Sequence, residues 1–136
     1  MEDILENMEQ ILNFLRTFPG FGGMHLSLDA LGPLPGCGGI FPRGEETLKR
    51  TQDVLGGVRV RVRLTLEVLV TSCYDPGSDS DIQALLLAFM AWARDNCPAL
   101  GEDTVLACKG PKLARTTPEG VATHTVTVTV DYTKSL

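Results

Sequence analysis

The run Val58-Arg-Val-Arg-Val-Arg-Leu-Thr-Leu-Glu-Val-Leu-Val70 constrains this chain more than any other stretch. Val58, Val60, Val62, Leu64, Leu66, Val68 and Val70 fall on one side of an extended backbone, and Arg59, Arg61, Arg63, Thr65 and Glu67 on the other. A period of two, rich in β-branched residues, predicts a half-buried strand with one side on a core and one in water. At about 3.3 Å per residue it spans roughly 40 Å, well beyond the usual strand of about 5–6 residues. Most of the remaining chain must therefore cover one side of it, or the strand must project.

The covering elements are legible on either side. Residues 2–17 set Ile4, Leu5, Met8, Ile11, Leu12 and Leu15 on one helical stripe, with acids in the first turn and Arg16 in the last. Phe18-Pro19-Gly20 ends that helix, because proline cannot continue the ladder and glycine lets the chain turn. Residues 24–30 alternate, directing Met24, Leu26, Leu28 and Ala30 inward. Residues 32–39 are too rich in Gly and Pro for a regular element, and they lack the G-K-[ST] ending of a phosphate loop.

Residues 45–55 read as a more polar strand, joined to the long one by Leu55-Gly56-Gly57 in a hairpin. A three-residue loop sets Leu48 opposite Leu64 and Asp53 opposite Arg59. A two-residue loop puts Thr51 and Lys49 on the apolar face, so the longer loop is expected. After the turn Tyr74-Asp-Pro-Gly77, Ser78 is expected to cap a helix, paired with Asp81. That helix runs to about Asn96 and carries Ile82, Leu85, Leu86, Phe89, Trp92 and Ala93 against the long strand. Residues 104–116 and 121–133 form a second hairpin about Thr117-Pro-Glu-Gly120. Its last arm places Ala122, His124, Val126, Val128, Val130 and Tyr132 inward, and Thr123, Thr125, Thr127, Thr129 and Asp131 in water. The expected fold is a single α+β domain over residues 1–136, a mostly antiparallel β-sheet with long hairpins packed by two α-helices.

Composition narrows the function classes. No apolar run reaches the roughly 18 residues of a membrane span. The start carries Glu2, Asp3 and Glu6 in place of a basic leader, so no signal peptide is expected. A net charge of −5 and a pI near 4.9 argue against a non-specific nucleic-acid binder. The 4 cysteines form no C-x-x-C pair, so neither a zinc site nor a disulfide framework is indicated. Reduced, structural thiols of a cytoplasmic protein are expected.

Three constellations merit a chemical reading. His25-Leu-Ser-Leu-Asp29 matches the H-x-x-x-D spelling of some CoA-dependent acyltransferases, including enzymes that modify chloramphenicol, where the histidine is a general base. In a regular strand those positions lie about 13 Å apart, too far for Asp29 to orient His25. His124 belongs to an apolar face and reads as a core or interface histidine. The row Arg59, Arg61 and Arg63 lacks interleaved aromatics and has acidic neighbours, which suits a solvated face or a subunit contact better than a phosphate-reading ridge.

Gly39-Ile-Phe-Pro-Arg-Gly-Glu-Glu-Thr47, the hairpin Asp53-Val-Leu-Gly-Gly-Val58 with its long alternating strand, and the closing Val126-Thr-Val-Thr-Val-Asp-Tyr-Thr-Lys134 carry a family resemblance. In order of elements, nearly the whole chain resembles the tail terminator, or tail-completion, proteins of long-tailed bacteriophages, grouped with prophage minor capsid proteins. The cysteine-bearing Gly/Pro loop departs from that pattern. The resemblance implies a virion structural protein, assembled in the bacterial host cytoplasm, that caps the tail tube and joins tail to head. Its partners are then further copies in a ring, with six suggested, together with tail-tube and head-connector proteins. Neither nucleic-acid reading nor a membrane is implied. No catalytic, cofactor-binding or metal-ligating residue carries over and no cofactor is expected; Arg59, Arg61 and Arg63 are the candidate subunit-interface residues. The alternatives are a small acyltransferase using His25 and a small ligand-binding module.

Overall fold

A computed structural model describes residues 2–19, 26–28, 37–73, 76–118 and 120–135. Helix α1 (Glu2–Arg16) is followed by strands β1 (Leu26–Leu28), β2 (Gly38–Gln52) and β3 (Val58–Cys73). Helix α2 (Pro76–Asn96) then precedes β4 (Glu102–Thr116) and β5 (Val121–Ser135). The strands form one sheet in the order β1-β2-β3-β5-β4. The short β1–β2 pairing is parallel, and the three long pairings are antiparallel. The chain is thus the expected α+β fold, with the long strand β3 at its centre.

Alternation along β3 does what its period demands. Val60, Val62, Leu64, Leu66, Val68 and Val70 are all buried, whereas Arg61, Arg63, Thr65 and Glu67 keep partial access to solvent. Both helices lie on the apolar side. Ile11, Leu12 and Leu15 of α1 and Leu86, Phe89, Met90 and Ala93 of α2 close over Leu66, Val68, Val126 and Val128. Aromatic rings lock the helices together: Phe14 stacks on Trp92 at 4.7 Å, and Phe18 meets the edge of Phe89 at 5.4 Å. Toward the β2–β3 turn a smaller core of Val60, Val62, Leu64 and Tyr132 continues the apolar face. There Asn7 Nδ2 donates to the Tyr132 hydroxyl at 3.1 Å, tying α1 to β5.

Four expectations change. The strand placed at 45–55 starts earlier, at Gly38, and stops at Gln52, leaving a five-residue loop over 53–57. Glu45, not Leu48, lies opposite Leu64, and Thr51, not Asp53, lies opposite Arg59. The longer loop accounts for the two-residue offset at Arg59, and of two irregularities, one between Pro42 and Gly44 and one between Thr47 and Lys49, the latter adds the third residue of offset at Leu64. Each admits an extra residue into β2, and Gly44 takes φ 128, a value L side chains rarely adopt. Leu48, the extra residue of the second, is exposed.

The second change is at α2, which begins at Pro76, so Ser78 sits inside the first turn rather than capping it. Proline is well placed at a helix start, where its missing N–H is unneeded. Third, the second hairpin is longer than expected at its open end, from Glu102 and to Ser135. Fourth, Thr123 is buried, with its cross-strand partner Thr71, although both belong to the polar face. The chain entering β2 folds against this end: Thr71 Oγ1 donates to Cys37 O at 3.1 Å and accepts from Cys37 N–H at 2.9 Å. His25, Asp29, the ends of the strand expected around them, most of the Gly/Pro loop and Tyr74–Asp75 lie outside the described residues.

Candidate functional site

With both helices on one side, the opposite face of the sheet carries the charges. Pairing of β3 with β5 and β2 sets Arg63 opposite Asp131 and Glu46, and Arg61 opposite Thr133 and Lys49. Arg63 Nε and Nη2 reach Asp131 Oδ1 and Oδ2 at 2.8 and 3.0 Å, a two-pronged bond that holds the guanidinium flat on the sheet. The hydrogen bond and charge of Asp131, with help from Glu46 at 3.9 Å, raise the affinity of Arg63 for its proton. Farther along the face, Arg43 pairs with Glu67 at 3.0 Å and rests over the Phe41 ring.

At the hairpin end the row meets β4. Arg59 Nη1 pairs with Glu102 Oε2 at 2.9 Å. Arg61 Nη1 donates to the Asp103 carbonyl at 2.7 Å and to Thr133 Oγ1 at 3.1 Å. That carbonyl is aimed by backbone strain, since Asp103 adopts φ 51 in the irregular stretch between Glu102 and Val105. Thr104 steadies it by accepting from Leu100 N–H at 3.1 Å and donating to Gly101 O at 3.0 Å. Only glycine fits at 101, where a Cβ would stand 2.5 Å from Thr133 O. Lys49, Thr51, Arg59, Arg61, Asp103 and Thr133 line a shallow open cleft of about 430 Å³.

The structure therefore brings the three predicted arginines into one row and supplies each with an acceptor from its own chain. Sequence reasoning missed those acceptors, Glu102, Asp103 and Asp131. A usable signal existed for Asp131, a polar-face acid in a second long alternating strand, but which strand adjoins β3 is a tertiary fact. His124 occupies the core, opposite Val70 and Leu113. Cys37, Cys97 and Cys108 are free thiols; burial raises the Cys97 thiol and pushes Cys108 up to about 11. Among the described residues no group of three or more His, Cys, Asp or Glu could hold a metal ion, and no helix is long and apolar enough to cross a membrane.

No family model matches the chain, and no curated protein shows significant similarity to it.

Proposed function

We propose that this protein is a ring-forming structural subunit of a bacteriophage or prophage tail, a tail terminator or minor capsid protein that caps the tail tube and joins it to the head. One observation carries the reading: among the described residues, the face of the long-stranded sheet away from the helices carries no helix and, apart from its covered end at Thr71 and Thr123, is held by cross-strand ion pairs. Such a face is stiff, polar and broad, suited to extended contact with neighbouring subunits rather than to enclosing a small substrate. The order of elements that resembles tail-completion proteins adds to it.

In this reading Arg59, Arg61 and Arg63 serve the subunit contact. Each is already oriented by its own chain, yet a guanidinium carries five N–H donors, and those left over are preorganised for acids of the adjacent copy. A head-to-tail contact whose rotation closes yields a ring, here taken as six copies meeting tail-tube and head-connector proteins inside the host cytoplasm. No nucleic acid and no membrane enters this role.

The test is assembly in context. Tails produced without the protein should grow to irregular lengths or fail to join heads, as counted by electron microscopy. Reversing charge at Arg59, Arg61 and Arg63 together should impair joining while circular dichroism stays unchanged. Normal tails in the absence of the protein would sink the reading, and normal tails with the triple variant would reduce the arginines to a solvated face.

A further inference from the structure

The β2–β3 hairpin ends in two apolar side chains that touch nothing. Val54 and Leu55 are 101% and 93% exposed, a solvation cost a loop has no folding reason to carry. Nor is the loop slack. Asp53 Oδ1 accepts from Leu55 N–H at 2.9 Å and Gly57 N–H at 2.8 Å, and Asp53 N–H donates to Gly57 O at 2.8 Å. A side chain bonded to the backbone two residues on fixes the turn and presents both residues outward. Just below the tip, Lys49 and Arg50 are exposed, and among the described residues neither has a carboxylate within ion-pair distance. The hairpin end is thus a preformed finger with an apolar tip and a basic neck.

A matching surface lies elsewhere on the same chain. Helix α2 buries Leu86, Phe89, Met90 and Ala93, yet its outer side is also apolar, with Leu87 at 53% exposure beside exposed Ala84 and Ala88. A solvent-facing side of that composition is unusual for a helix packed on a sheet. Exposed Asp81 and Asp95 flank one edge of it, and exposed Arg94 stands on the other. The charges complement the neck. The spacing allows it: Leu87 to Asp95 is about 12 Å at 1.5 Å per helical residue, within the reach of a neck four to five residues from the tip. Lys49, opposite Arg61, and Arg50, opposite Val60, leave β2 on opposite faces, so a tip over Leu87 brings one of them to Asp95.

We propose that the Val54–Leu55 tip docks on the outer face of α2 of a second copy of this chain, with the basic neck at Lys49 and Arg50 set against its Asp95. Because finger and receiving face are different surfaces, the contact is head-to-tail and propagates. It deepens the ring-subunit reading and rests on it for its biological setting, though not for its chemistry.

Sedimentation of the full chain over rising concentration tests the contact. The wild type should self-associate reversibly, and V54D/L55D and L87D should each remain monomeric with unchanged circular dichroism. Mixing the two variants should restore a 1:1 dimer and nothing larger, because each brings one intact half. K49E/R50E should weaken association at least tenfold, and D95K added to it should recover part of the loss. A wild type that stays monomeric up to its solubility limit, association indifferent to either surface, or a mixture that forms no dimer overturns the proposal. The two readings fail separately. Self-association through the tip with unaffected tails keeps the contact and sinks the tail role, whereas tails that need the protein but tolerate V54D/L55D do the reverse.

Discussion

Arg63 on β3 and Asp131 on β5, directly opposite in the antiparallel ladder, share a two-pronged hydrogen bond at 2.8 and 3.0 Å on the uncovered face of the sheet. Their side chains are 39% and 20% exposed, against 58% and 57% for Arg59 and Glu102. Geometry and partial shielding separate the two pairs, since an exposed single-contact pair is screened by water and salt. A double-mutant cycle in urea should find measurable coupling for Arg63–Asp131, diminishing with added salt, and almost none for Arg59–Glu102. Arg63→Lys should not recover it, because an ammonium cannot bridge both oxygens. Equal coupling in the two pairs would contradict this.

Core positions should separate sharply from the polar face. Leu66 and Phe89 are fully buried between β3 and α2, and truncation of either to Ala should cost about 2–5 kcal/mol. Thr127, opposite Glu67 and Lys109 on the polar face, should tolerate Ala within about 0.5 kcal/mol. Similar losses at all three in chemical denaturation would mean the faces are misassigned.

The ion pair on the helix-covered side is a different case. Lys134 Nζ lies 3.6 Å from Glu45 Oε1, and among the described residues Glu45 Oε2 is buried with no hydrogen-bond partner. Such a pair contributes little net stability, yet either half alone is costly. Lys134→Met should therefore destabilise by about 1–3 kcal/mol, while Glu45→Met with Lys134→Met should match or exceed the wild type. A double variant weaker than Lys134→Met alone would show the pair to be stabilising.

Burial governs the reactivity of Cys108. With its pKa pushed up to about 11, only about one part in a thousand is thiolate at pH 8. Alkylation of Cys108 by iodoacetamide at pH 8, followed by mass spectrometry, should lag the urea-unfolded chain at least tenfold. The sign for stability follows. The folded thiol keeps its proton while the unfolded one loses it near 9, so stability is lost as pH rises from about 9 to 11. Rapid labelling of the folded chain at pH 8 would refute the assignment.

Much of this was already determined by the sequence. Strict alternation from Val58 to Val70 admits one half-buried strand, because a period of two can place all its apolar residues together only on an extended backbone. Ile11, Leu12 and Leu15 at helical spacing, and Phe89 and Trp92 in α2, likewise announced their buried faces. Local periodicity is enough for these, since each face is decided within a few residues. What only the tertiary structure decided is where those faces meet. A turn two residues longer than expected and one extra residue in β2, Leu48, shift the register so that Glu45, not Leu48, faces Leu64, and the alternation of a single strand cannot show where its partner skips a residue. Thr123 reads as wet until the chain at Cys37 closes over it and its cross-strand partner Thr71. The acceptors that anchor Arg59, Arg61 and Arg63 lie 43, 42 and 68 residues away in sequence, brought close only by the β3–β5–β4 order. A pairing that distant has no local periodicity to announce it; it exists because long strands must satisfy their backbone hydrogen bonds against some neighbour, and the packed helices choose which.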